Sequence, residues 1–125
     1  MNKKDKDLLI KDLSARVFYG VKVNIERDFP NNPQIVERVA KDGEIIVNGI
    51  LAYDIYCYKP YLRPMSSMTE EEKEDFGVPF TSEGLTTLAD TIECMDWLNE
   101  HCFDYRGLIE KGLALEAPKD MYKTE

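Results

Sequence analysis

Apolar and polar positions change their period several times along this chain. Between Asp7 and Arg16 the apolar residues Leu8, Leu9 and Leu13 lead on to Val17 at helical spacing. This predicts a short amphipathic helix with Lys11 and Asp12 turned to water. Gly20 follows as its stop. Val21-Lys22-Val23-Asn24-Ile25-Glu26 then alternates residue by residue, the period of a strand with one wet face.

Phe29-Pro30-Asn31-Asn32-Pro33 reads as a loop, because its two prolines and two asparagines interrupt a ladder. Residues 34–40 are ambiguous. Ile35, Val36, Val39 and Ala40 fit two turns of helix, but the Lys41-Asp42-Gly43 turn into Glu44-Ile45-Ile46-Val47 favours a strand-turn-strand hairpin. Asn48-Gly49 marks a second hairpin, and Tyr53 to Tyr58 reads as an aromatic-rich strand. Lys59-Pro60 and Arg63-Pro64 are expected to break the ladder.

Past Ser66 the period becomes helical. Ser67 with Glu70 and Thr69 with Glu72 offer two overlapping capping boxes for a short helix ending near Phe76 at Gly77 and Pro79. A longer helix is predicted from Thr86 to His101. Its apolar face is Leu88, Ile92, Met95, Leu98 and Cys102, with Asp90, Glu93, Asp96 and Glu100 on the remainder. Asp104 is placed to cap a last helix, Tyr105 to Lys111, stopped by Gly112, with Arg106 a candidate clamp onto the body. The polar tail 118–125 is expected to fray. The order predicts one α+β domain over residues 1–125, with a strand-rich half 1–64 and a helical acidic half 65–117. An N-terminal helix precedes a small antiparallel meander or an SH3- or Sm-like barrel, and helices close the chain.

A composition of 43% apolar and 10% aromatic residues places the chain among folded proteins. The longest apolar run, Gly49 to Tyr53, is far short of the roughly 20 residues a membrane-spanning helix needs. The N-terminal run Met1 to Asp7 mixes lysines with acids, unlike a secretory signal. Three cysteines, Cys57, Cys94 and Cys102, suit reduced thiols better than a disulfide framework. A cytoplasmic protein is therefore expected.

Charge changes the picture more. The net charge is −8, and residues 65–104 carry eleven acids against the single base Lys73. That block repels nucleic acid and steers basic partners.

Chemistry-bearing motifs are sparse. Cys94, His101 and Cys102 fall short of the four ligands of a structural zinc site. His101 is the only histidine, and no nucleophile elbow, phosphate loop or metalloprotease motif occurs. Neither a catalytic set, a metal nor a cofactor is expected. Arg63-Pro64-Met65-Ser66-Ser67 leads into a helix N-terminus, but capping hydroxyls and three glutamates occupy the position a phosphate would take. Tyr53, Tyr56, Tyr58 and Tyr61 with Lys59 and Arg63 form an aromatic-cationic cluster of the kind that stacks single-stranded bases. The same spacing suits tyrosines packing a core while their hydroxyls reach water.

Three segments carry a resemblance. Lys59 to Lys73 (KPYLRPMSSMTEEEK), Phe103 to Pro118 (FDYRGLIEKGLALEAP), and Lys11 to Arg16 with Tyr19 to Val23 resemble a family of small uncharacterised proteins from gut Bacteroidales genomes, phages and mobile elements. The resemblance implies a phage or mobile-element setting. It brings no assigned activity and therefore no residue roles.

The leading expectation is a non-enzymatic interaction module that binds a host or phage protein with a basic surface. Its candidate contacts are Glu70, Glu71, Glu72, Glu93, Asp96 and Glu100. The alternatives are a single-stranded nucleic-acid-binding barrel using Tyr56, Tyr58, Lys59, Tyr61 and Arg63, and an enzyme of unknown class.

Overall fold

The first helix starts a turn earlier than predicted. Asn2 caps it, its Oδ1 accepting the Asp5 N–H at 2.8 Å, so α1 runs over Lys3–Arg16. A 3₁₀ turn, Val17–Tyr19, and Gly20 in the left-handed conformation end it. The computed structural model describes residues 1–76 and 88–122. After α1 come β1 (Lys22–Ile25), β2 (Phe29–Ile35), β3 (Arg38–Val39), β4 (Ile45–Val47), β5 (Leu51–Tyr53) and β6 (Lys59–Pro64). Helices α2 (Glu70–Phe76) and α3 (Leu88–Glu100) follow, then the short strands β7 (Phe103–Asp104) and β8 (Leu115–Glu116). The predicted stop at Gly77 and Pro79 and start at Thr86 lie outside the described residues.

The α+β class is as expected, but among the described residues the strands form two open sheets rather than a barrel. One sheet has the order β2-β1-β6-β7, with β8 also paired to β6; the other is β3-β4-β5. The first is mixed rather than antiparallel, since β6 runs parallel to both β7 and β8. Parallel neighbours need a long crossover, and the stretch carrying α2 and α3 supplies the one between β6 and β7. Along β6 the partners change in steps: Lys59 and Pro60 face β1, Tyr61 and Leu62 face β8, and Arg63 and Pro64 face β7.

Proline misleads twice. The expected loop at Phe29–Pro33 belongs to β2, which ends the sheet order, the position where a missing N–H is tolerated. The expected break at Lys59–Pro64 is β6 itself. Its ladder groups come from between the prolines: Arg63 N–H donates to Cys102 O, and Leu62 O accepts from Ala117 N–H, both at 2.8 Å. The ambiguous stretch is the expected hairpin, with Arg38 opposite Ile46 and Val39 opposite Ile45. Just before it the chain changes sheets, Val36 N–H bonding Val21 O and Glu37 N–H bonding Ile46 O. Gly43, in the hairpin turn, has φ +91°, and a Cβ there would lie 2.9 Å from Ile55 Cδ1, so only glycine fits.

The expected strand Tyr53 to Tyr58 stops at Tyr53. Asp54 Oδ1 accepts the Tyr56 N–H at 2.9 Å and Asp54 O accepts the Cys57 N–H at 3.0 Å, which turns the chain. The expected helix Tyr105–Lys111 is also a turn. Asp104 caps it as predicted, its two carboxylate oxygens each accepting a backbone N–H at 2.9 Å, from Leu108 and Ile109. The tail is anchored at least as far as Tyr122, whose hydroxyl donates to Tyr61 O at 2.7 Å and accepts from Lys22 N–H at 2.8 Å.

Among the described residues two apolar clusters result. The larger joins Leu9 and Leu13 of α1 to Val21, Val23 and Ile25 of the first sheet segment and to Ile45 and Val47 of the second sheet. The smaller joins Met68, Cys94, Leu98 and Phe103. All three cysteines are free thiols, and no helix among the described residues is long and apolar enough to cross a membrane.

One helical expectation is reversed. Asp12 is fully buried rather than solvated, because Arg16, one turn on and equally buried, donates to it through Nε at 2.9 Å and Nη2 at 3.0 Å. Arg106 Nε adds a third bond at 3.2 Å, which realises the clamp. Asp12→Ala leaves Arg16 buried without a counter-charge and is expected to cost about 3–5 kcal/mol in urea unfolding. Lys11→Ala, at an exposed neighbour, stays within about 0.5 kcal/mol. A cost below about 1 kcal/mol for Asp12→Ala contradicts this role for the pair.

Candidate functional site

Helix α3 is held by one face. Cys94 and Leu98 are buried against Met68 and Phe103. Trp97 stacks on Phe103 (centroids 5.7 Å apart, planes 8° apart) and on His101 at 4.0 Å. Its Nε1 donates to Asp75 at 2.9 Å, tying α3 to α2. The buried face is rotated from the predicted one, for Ile92 is 53% exposed. Beside it stand Glu93, Asp96 and Glu100, all exposed. Spacings of three and four residues put these acids on one stripe. Among the described residues none of the three has a counter-ion within 4.0 Å.

The α2 glutamates divide. Glu72 is held by Arg63 through two hydrogen bonds, at 2.5 and 2.6 Å. It also completes the capping box: Glu72 Oε1 accepts the Thr69 N–H at 3.0 Å, and its own N–H donates to Thr69 Oγ1 at 3.1 Å. The Arg63 bonds, helped by the Thr69 N–H and opposed by partial burial, pull the Glu72 carboxyl down to about 2. Glu72 is thus committed to the fold. The rival box at Ser67 is absent, its Oγ donating to Pro64 O at 2.7 Å. Glu70 lies 3.3 Å from Lys73 in an exposed pair. Glu71 is exposed and, with Glu116 and Asp120, lines a cleft of about 560 Å³ between α2 and residues 116–122.

The tyrosine cluster does not share a face. Tyr58 is buried, its hydroxyl donating to Gly43 O at 2.5 Å, and burial pushes its phenol well above the usual range. Tyr53 is buried and donates to Asp28. Tyr61 is half-buried, and Arg63, spent on Glu72, lies 4.2 Å from the Phe103 ring centroid. Only Tyr56 (66% exposed) and Lys59 remain open. They line a second groove, of about 610 Å³, together with Lys111, Asp5 and Glu26. Lys6 Nζ stands 5.8 Å from the Tyr56 ring centroid. Lys6, Lys111, Asp5 and Glu26 carry no local signal of a site; the fold brings them beside Tyr56 from elsewhere in the chain.

Among the described residues no three His, Cys, Asp or Glu side chains are placed to hold a metal. Burial lifts the Cys102 thiol to about 11, which keeps it protonated at neutral pH. No family model matches the chain, and no curated protein or solved structure is significantly similar to it.

Glu72 gives the site region a pH signature. Its carboxyl ordinarily titrates at 4.5 and is held here at about 2. Its stabilisation is therefore complete above the ordinary value and lost as pH falls through the depressed one. Glu72→Gln is expected to destabilise the protein by roughly 2 kcal/mol at neutral pH, the gap closing between about pH 5 and pH 2. Urea unfolding of both proteins across that range checks it; a constant gap rules out the linkage.

Proposed function

We propose that this protein is a non-enzymatic interaction module that docks a partner with a basic surface on the exposed stripe of α3. The observation that carries the reading is the line of Glu93, Asp96 and Glu100 beside the half-exposed Ile92, without counter-ions among the described residues. Three like charges on one rigid helix face attract a cationic surface and orient it. An apolar residue among them supplies desolvated contact once the partner has arrived. Glu71 faces the separate cleft beside residues 116–122, and neither it nor Glu72 belongs to the stripe.

The resemblance to phage and mobile-element proteins supplies a setting for this reading. A small acidic protein of that origin, in the cytoplasm, covers a basic surface with which a host or phage protein otherwise meets nucleic acid.

The test is capture from a host lysate on immobilised protein, comparing wild type with the Glu93→Lys, Asp96→Lys, Glu100→Lys triple variant. All three changes are at exposed positions, and circular dichroism checks that the fold is kept. A specific basic partner is expected to bind wild type, to bind the variant at least about tenfold more weakly, and to elute as salt rises past about 0.3 M. Equal capture by both proteins, or binding indifferent to salt, overturns the proposal.

A further inference from the structure

We infer that the groove beside Tyr56 binds a nucleoside phosphate, the base stacking on the Tyr56 ring and the phosphate meeting Lys59 and Lys111. The site is independent of the α3 stripe and uses no residue of that helix.

Tyr56 is built to be presented. Its neighbour Ile55 is 2% exposed and packed against Gly43, and Tyr58 is 4% exposed and bonded to Gly43 O. The Asp54 carboxylate holds the Tyr56 N–H. An aromatic ring left 66% exposed on a backbone anchored at both sides is presented to solvent, where a base can stack on it. Leu113 and Leu115 also line the groove, and a volume of about 610 Å³ is within the range of small-ligand sites.

The charges select the ligand. Lys59 and Lys111 line the groove, and Lys6 stands by the ring. Among the described residues none of the three has a carboxylate within 4.0 Å. Asp5 and Glu26 line it too, Glu26 accepting from Asn24 Nδ2 at 3.3 Å. A simple anion is attracted by the lysines and repelled by these acids. A molecule with a phosphate at one end and an amine-bearing planar base at the other satisfies both sets, because a carboxylate accepts the exocyclic N–H of cytosine. The nucleotide can be free or part of a single strand; the chemistry at the groove is the same.

The experiment is an NMR titration of the ¹⁵N-labelled protein with CMP, UMP and a short oligocytidine. CMP is expected to shift the amides of residues 55–59 and 111–115 at millimolar concentration. Tyr56→Ala, and separately Lys59→Glu with Lys111→Glu, are expected to weaken binding by about tenfold or more. Tyr56→Phe, which keeps the ring, stays within about twofold of wild type. UMP, which lacks the amine, is expected to bind several-fold more weakly than CMP; equal binding overturns the role given to Asp5 and Glu26. Oligocytidine binding at least about tenfold tighter than CMP assigns the site to single strands, and equal affinity assigns it to free nucleotide. Absence of shifts at these amides with both CMP and oligocytidine, or binding undiminished in Tyr56→Ala, overturns the inference.

Discussion

Asp12 and Arg16 bury two full charges on the inner side of α1, and the late part of the chain is arranged to satisfy them. Arg16 Nη2 donates to Phe103 O at 2.6 Å, a contact spanning 87 residues of sequence. Arg106 reaches back to Asp12, and the Tyr105 ring lies 5.0 Å from one guanidinium and 5.1 Å from the other. Tyr105 is fixed in turn by its hydroxyl on Asn99 Oδ1 at 2.7 Å. The network is nearly complete: Arg16 Nη1 is the one buried side-chain nitrogen or oxygen without a partner among the described residues. Such a pair gives back little more than its desolvation costs. Its value is geometric, because only one placement of β7 against α1 satisfies it.

The rest of the C-terminal half hangs on that placement. With Phe103 O held by Arg16, the Phe103 ring lies between the Arg63 guanidinium and the Trp97 indole, and Trp97 continues the stack to His101. Arg63 grips Glu72 and Trp97 grips Asp75, so α2 and α3 are fastened to the same short strand. The orientation of α3 follows: Cys94 and Leu98 face inward, and the acidic stripe is left outward. The strand-rich half thus lends one cation, Arg63, to neutralise one acid of the helical half, while the stripe keeps its charge.

What was legible in the sequence was local. The alternation of Val21, Val23 and Ile25, the Gly43 turn and the Thr69–Glu72 box are each decided within a few residues, and each is found where its pattern places it. The surplus of acids in residues 65–104 needed only counting. Which acids stay available was not legible, since Glu72 is withdrawn by Arg63, nine residues away and on a different element. Asp12 differs: its main partner Arg16 is only one turn on, but an i,i+4 pair is ordinarily solvated, and the groups that make burying this one tolerable, Phe103 O and Arg106, are 87 and 94 residues off. The prolines of β2 and β6 read as breaks in the sequence because their tolerance depends on which N–H groups the ladder uses, a property of neighbouring strands. The tyrosines split between core and surface because one Asx turn ends the period-two pattern at Tyr53.

A protein of 16 basic and 24 acidic residues that leaves a stripe of one sign and a groove of both without ion pairs among the described residues loses little stability by doing so. Exposed pairs are each worth less than about 1 kcal/mol, and the paired charges that matter to the fold are the buried ones. At physiological ionic strength the field of the stripe decays over about 8 Å, so Glu93, Asp96 and Glu100 guide a partner only through its last approach. Residence then depends on contact, which makes the exposed Ile92 as necessary to the stripe as its acids. The same reasoning applies to the groove, where on the inference above the lysines attract a phosphate but the exposed Tyr56 ring must hold the base. In both places a charge set that recruits stands beside one exposed apolar or aromatic side chain that retains; the stack of Trp97 on Phe103 fixes the helix that carries Ile92, and the Asp54 turn fixes the backbone that carries Tyr56.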